Sequence, residues 1–287
     1  ALIAVGYTMV YGIIKLINFA HGEIYMFGTF FSVILIGDAG LPFWLALPAA
    51  MAGCALLGLL IDVGAYRSVR NAPRLAALIT AVGVSLFLQN LAMLIWGSEP
   101  RAFPEVAALQ HMVDFQPGRE DGFKVPVKFF LIWFLSIGLM LLTDLLIRKT
   151  KLGKAMRACS MDPKAAVLMG IPVNRIITTT FMLGSGMAAI AGACYGLYVG
   201  SQISFRMGVY PGVIAFAAAV LGGIGHMRGA FLGGLLMGLV EVGSRAYLCP
   251  ALDISGGYSS AFAFSLLIAV ILVRPTGILG SPSVNRA

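Results

Sequence analysis

Polar and titratable side chains set inside apolar stretches are where this sequence could do chemistry, because an ionisable group in lipid is costly and is kept only with a partner or a task. Three fall close together in the stretch Asn18-Phe19-Ala20-His21-Gly22-Glu23. A His–Glu pair there could organise an unwound backbone or line a polar path, or it could be a hydrogen-bonded plug that holds a helix break in shape. Gln89 and Asn90 lie deep in another apolar run, where they either touch a passing solute or bond across helices. Glu241 and Arg245 are four apart, which puts them on one helical face as a salt-bridged pair. Other chemistries find no footing. Gly153-Lys154 lacks the upstream glycine and the following Ser or Thr of a phosphate-binding loop. No HExxH or GxGD string occurs, Ser185 sits between two glycines, and the three histidines, His21, His111 and His226, fall on loops or breaks. Cys54, Cys159, Cys194 and Cys249 are scattered, with no CxxC pair. These features point away from a catalytic or metal centre.

The elements that must hold these residues are membrane helices. Hydrophobic residues make up 59% of the chain and charged ones 11%, against roughly 45–50% and about 25% in soluble domains. With mean hydropathy of +0.92, no soluble fold could cover such a core. Apolar runs at about 1–17, 24–36, 42–61, 75–96, 129–147, 176–198, 211–225, 229–247 and 259–273 predict an all-α, polytopic bundle of eight or nine spans in one membrane domain over 1–287. The chain opens at Ala1 inside an apolar run without an initiator Met, and residues are expected before it. A net charge of +8 could suggest nucleic acid, but the basic residues cluster in short loops, the pattern of cytoplasmic retention. The loop 62–74 carries Arg67, Arg70 and Arg74, and 148–175 carries seven basic residues against Asp162. Both are expected in the cytoplasm, together with the C-terminus, with Cys159 reactive from that side. The loop 97–128, with Glu99, Glu105, Asp114, Glu120 and Asp121, is expected outside.

Two runs, 24–36 and 211–225, are short for a bilayer and adjoin breaks: the Asn18–Glu23 stretch and Gly222-Gly223-Ile224-Gly225-His226-Met227-Arg228-Gly229. Broken helices of this kind point to a transport pathway, with Gly222, Gly223 and Gly225 as the second break. In the basic loop, Asp162 is an N-cap, Pro163 the first helical residue, and Gly170 with Pro172 the stop. A single two-turn helix on the cytoplasmic face is expected. Gly184, Gly186, Gly192, Gly233, Gly234 and Gly238 suit close helix packing.

Asp162 and the run Lys164-Ala165-Ala166, Leu168 and Gly170 resemble the EAA loop of ABC importer permeases, with Lys164 at the position of the family's Glu. The stretches YTMVYGIIKLINFAHGEIYMFG (7–28), LITAVGVSLFLQN (78–90), GKAMRACSMDPKAAVLMGI (153–171), AAVLGGIGHMRGAFLGG (218–234) and RPTGILG (274–280) resemble the high-affinity branched-chain amino acid permeases of the LivH type. NFAHGE-like stretches are also similar to those of urea and short-amide permeases, and a secondary transporter is the more distant alternative. The resemblance implies a transport subunit of the inner membrane, not an enzyme, with no cofactor of its own. ATP and Mg would sit on two partner ATPase subunits, in whose groove the short helix docks. It further implies a second related permease or a second copy, and an external substrate-binding protein that makes most of the choice of substrate.

Overall fold

The computed structural model describes residues 1–15, 18–70, 72–115 and 124–280. Among them, eleven α-helices of six or more residues carry the fold, and the only sheet is a three-residue antiparallel ribbon, β1 (Met112–Asp114) with β2 (Lys124–Pro126). The helices at the predicted spans are α1 (Leu2–Ile14), α2 (His21–Val33), α3 (Phe43–Ile61), α4 (Arg74–Trp96), α5 (Val127–Lys149), α8 (Val173–Val199), α9 (Val209–Gly222), α10 (Met227–Gly243) and α11 (Ser259–Val273). Between α5 and α8 lie α6 (Lys151–Met161) and α7 (Pro163–Leu168). All nine predicted spans are therefore present as helices. Six are long and apolar enough to cross a membrane, α3 among them because it continues through a π turn at Asp62–Tyr66 as far as Val69.

Two expectations change. The segment 24–36 is not a short one: α2 begins three residues earlier, at His21, and runs on through a π turn to Asp38. The short apolar helices are α1 and α9. The basic loop 148–175 holds two helices, since α6 precedes the expected two-turn helix α7. Glu120 and Asp121 of the acidic loop lie outside the described residues.

The bundle is built around α8, whose membrane window is 78% buried against 6% for α5 and 11% for α11. Lipid is as apolar as leucine, so helices in it associate by close packing of small residues. A side chain at Gly192 would strike the Tyr25 carbonyl and Thr29, and one at Gly58 would strike Ser185 and the Phe181 carbonyl. Thus α2 and α3 both press backbone to backbone on α8. The outer-facing surfaces of α4 and α5 stay apolar and open, with Leu94 82% and Phe134 75% exposed. On its inner side α4 is held by Trp96, stacked on Phe30 of α2 with ring centroids 4.5 Å apart and an interplanar angle of 3°.

Candidate translocation and coupling sites

Glu23 occupies the first turn of α2, not an unwound break; α1 is closed at Lys15, which takes a left-handed conformation, and α2 opens at His21 after its N-cap Ala20. The carboxylate is 1% exposed. Its Oε1 accepts hydrogen bonds from Ser85 Oγ at 3.0 Å and Gln89 Nε2 at 2.9 Å. Ser85 and Gln89 are one turn apart on α4, so one face of that helix supplies both donors. Oε2 has no partner and lies against Gly208, the N-cap of α9, where a Cβ would come within 2.5 Å of it. The positive end of a helix dipole favours a carboxylate at that place. The helix crossing is equally close: a side chain at Gly22 would run into the Gly208 carbonyl. Glu23 therefore joins α2, α4 and the start of the half-length α9.

The other expected polar residues separate. His21 does not pair with Glu23, because residues two apart on a helix point to different sides. Its ring meets Tyr7 edge-on at 5.8 Å, and its Nε2 faces Gly6 of α1 without a partner. Asn18 turns the other way and accepts from Tyr66 Oη at 2.9 Å. Asn90 is exposed on α4 and donates to its own helix at Leu86 O, 2.7 Å. Gln89 thus belongs with Glu23 and Asn90 does not. A cavity of about 640 Å³ lies elsewhere, between α1, α5, α8, α9 and α10. It is mainly apolar, and its rim includes the expected Glu241–Arg245 pair, 3.6 Å apart.

At the basic end, the short helix forms as its capping residues dictate. Asp162 Oδ1 accepts from the backbone N–H of Lys164 at 2.8 Å and of Ala165 at 3.1 Å, Pro163 is the first helical residue, and Gly170 ends the turn at φ 78°. Only Ala166 is buried; Leu168 is 87% exposed and Met169 81%. A two-turn helix thus projects an exposed apolar knob from the bundle. Beneath it, α6 buries Met156 and Cys159, and that burial pushes the Cys159 thiol up from its ordinary value. The expected reactivity of Cys159 is therefore not available: the side chain is 0% exposed.

The second break is formed by Gly223–His226, between α9 and α10. Gly223 and Gly225 have φ of 101° and 91°, a region closed to L side chains at reasonable cost. Its open carbonyls are met by the loop Arg274–Gly280. Ile278 N donates to Leu221 O at 2.9 Å and Leu279 N to Gly222 O at 3.1 Å. A side chain at Gly223 or Gly277 would strike the facing backbone, so the LGGIG and PTGILG stretches require each other. Arg228, just past the break, pairs with Asp144 of α5 at 2.8 Å, and Asp144 also holds Arg148 at 2.9 Å.

One cluster was missed in the sequence. Asp62, 0% exposed, pairs with Arg70 and accepts from Thr178 Oγ1 at 2.6 Å, while Arg70 Nη1 donates to Asn174 Oδ1 at 2.7 Å. Asp62 reads as the first residue of a basic loop. The available signal was a lone acid at the end of an apolar run with arginines just beyond it.

This arrangement offers a buried carboxylate gripped by two side chains of α4, a Gly-rich helix break and a projecting apolar turn. A family model described as "Branched-chain amino acid transport system / permease component" matches residues 1–271. The chain is 44% identical over 299 residues to the high-affinity branched-chain amino acid transport system permease protein LivH of Escherichia coli K12, covering all of this chain and 92% of that protein. It is 41% identical over 295 residues to the permease protein BraD of Pseudomonas aeruginosa, covering 100% of this chain and 93% of BraD. With the probable permease protein LivH of Methanocaldococcus jannaschii the identity is 29% over 293 residues, 97% of this chain and 88% of that one. No solved structure matches.

Proposed function

From a chain that belongs to the branched-chain amino acid transport system permease family, we infer the membrane-spanning subunit of an ATP-driven importer for amino acids with aliphatic side chains. Full-length similarity to LivH and BraD, whose names state that substrate class, carries this reading. The end of the bundle bearing α6 and α7 faces the cytoplasm, in keeping with Lys149, Lys151, Lys154 and Arg157 gathered there. The apolar knob of α7 then meets an ATPase subunit: Leu168 and Met169 are left uncovered by the described residues, and burying such side chains in a groove is the ordinary mode of helix docking. Asp162, Lys164, Ala165, Ala166, Leu168 and Gly170 form this contact. Two ATPase subunits hold ATP and Mg, a second permease or second copy completes the pathway, and a binding protein delivers the solute to the opposite end.

Glu23 with Ser85 and Gln89 sits beside that pathway. Its carboxylate ties α4, the helix with a loosely packed and largely exposed membrane face, to the breaks in α1–α2 and before α9. Asn18 and His21 hold the α1–α2 turn in shape; Asn90, exposed on α4, faces away from this cluster and meets either solute or the second permease. The test is uptake of radiolabelled leucine into proteoliposomes holding the purified chain, its copurifying ATPase and permease subunits and the binding protein. ATP-dependent leucine uptake supports the reading. Uptake driven by an ion gradient without ATP, or of urea in place of leucine, removes it.

A further inference from the structure

The projecting turn α7 and the buried Glu23 stand on different elements, yet a run of side-chain bonds leads from one to the other at the basic end. Movement of α7 reaches α8 directly. The turn between them is closed by Gly170 N to Val167 O, 2.9 Å, and Ile171 N to Ala166 O, 3.0 Å. The first side chains of α8 to receive it are Asn174 and Thr178, one turn apart and both bonded to the end of α3: Asn174 to Arg70 at 2.7 Å, Thr178 to Asp62 at 2.6 Å. Asp62 and Arg70 are themselves paired, with side chains 0% and 10% exposed. From Asp62 the π turn ends at Tyr66, which donates to Asn18 at 2.9 Å. Asn18 O in turn accepts from the His21 N–H at 3.1 Å, the opening bond of α2. Two residues on, Glu23 holds α4 through Ser85 and Gln89.

We propose that the Asp62–Arg70 pair, gripping Asn174 and Thr178, is the joint that passes movement of the α6–α7 hairpin to the start of α2, and that Asp62 and Arg70 are positioning residues for transport. The inference rests on the reading of α7 as the ATPase contact. An ion pair this deeply buried adds little stability over apolar residues of the same volume, whereas breaking it leaves an uncompensated charge. Its distinctive property is direction. Arginine offers a rigid fork that engages Asp62 and Asn174 at once, so α3 and α8 must move in register. A greasy contact would let them slide. The joint also carries unused capacity: Arg70 Nε and Asn18 Nδ2 are buried donors without partners, one at each end of the relay. An element with a second hydrogen-bonded arrangement holds such donors in reserve.

The complete importer in proteoliposomes tests this, with assembled complex, ATP hydrolysis and solute uptake measured on the same preparation. Asn174→Ala removes an exposed side chain and Arg70→Lys keeps the charge but loses the fork. Both should assemble as wild type and hydrolyse ATP, with uptake per ATP lowered about fivefold or more, the usual scale of coupling between sites. Asn174→Asp, which restores an acceptor for Arg70, should recover it. Wild-type uptake per ATP in Asn174→Ala and Arg70→Lys overturns the joint. So does a loss of uptake that merely tracks loss of assembled complex, because that marks a structural pair only. Failure of the wild-type chain to show ATP-dependent uptake would instead strike the functional reading itself.

Discussion

Glu23 shows how a single carboxylate can be buried in a membrane bundle: one oxygen is bonded twice by α4 and the other rests on the N-terminus of α9. Glu23→Gln keeps the acceptor and the shape while removing the charge. Assembly should hold and uptake per complex should fall. Glu23→Ala leaves the Ser85 and Gln89 donors without their acceptor at about 1–3 kcal/mol for each unpaired buried group, so the amount of assembled complex should drop as well, measured by quantitative immunoblot after solubilisation. Wild-type uptake per assembled complex in both variants would show that Glu23 only holds helices together. A second prediction concerns thiols. Cys159 is fully buried and its thiol is pushed up by that burial, so a membrane-impermeant maleimide should leave it unlabelled from either side. Met161→Cys, at a position 84% exposed, should label from the cytoplasmic side alone. Labelling from outside would invert the bundle.

At the scale of elements, α7 can be altered without disturbing the bundle, because its outer residues touch little of this chain. Leu168→Asp should leave membrane insertion unchanged and abolish co-purification of the ATPase. Gly170→Pro should do the same by another route, since Gly170 has φ of 78° and donates its N–H to Val167 O at 2.9 Å, and proline offers neither the angle nor the donor. Retained ATPase binding in both variants would free α7 of the docking role. This turn was readable from its residues, since Asp162, Pro163 and Gly170 act locally and need no tertiary context. So was the break at Gly222–Gly225. The start of α2 was not: His21 and Glu23 interrupt the apolar run, and only the neighbours of His21 on α1 and of Glu23 on α4 and α9 make a helical turn with two titratable groups tolerable there. Helix α6 was hidden by Lys151, Lys154 and Arg157, although Leu152, Met156 and Cys159 recur at helical spacing and carry its buried side. The Asp62 joint was illegible for a third reason, as its partners on α8 lie more than a hundred residues away.

For the molecule as a whole, α8 is enclosed on nearly all sides while α4, α5 and α11 expose broad apolar faces, and only part of that surface needs to meet lipid. The importer reading expects two permease bundles in each complex. Native mass spectrometry of the detergent-extracted particle should find two permease chains with two ATPase chains, and a fully active particle with one permease would contradict this. The loop at Arg274–Gly280 carries a different kind of consequence. The backbone bonds from Ile278 and Leu279 complete a helix break made 57 residues earlier, at Leu221 and Gly222. During synthesis α9 and α10 must therefore enter the membrane with that break unfinished, and it is sealed only once the segment Arg274–Gly280 has been made and has folded back on it. A chain stopped at Val273 would present the same spans to the insertion machinery yet retain an unsealed break inside the membrane. Pulse-chase labelling should show it inserted at the normal rate and then destroyed by membrane proteases, so that the Arg274–Gly280 loop acts as the seal that tells a finished break from an unfinished one.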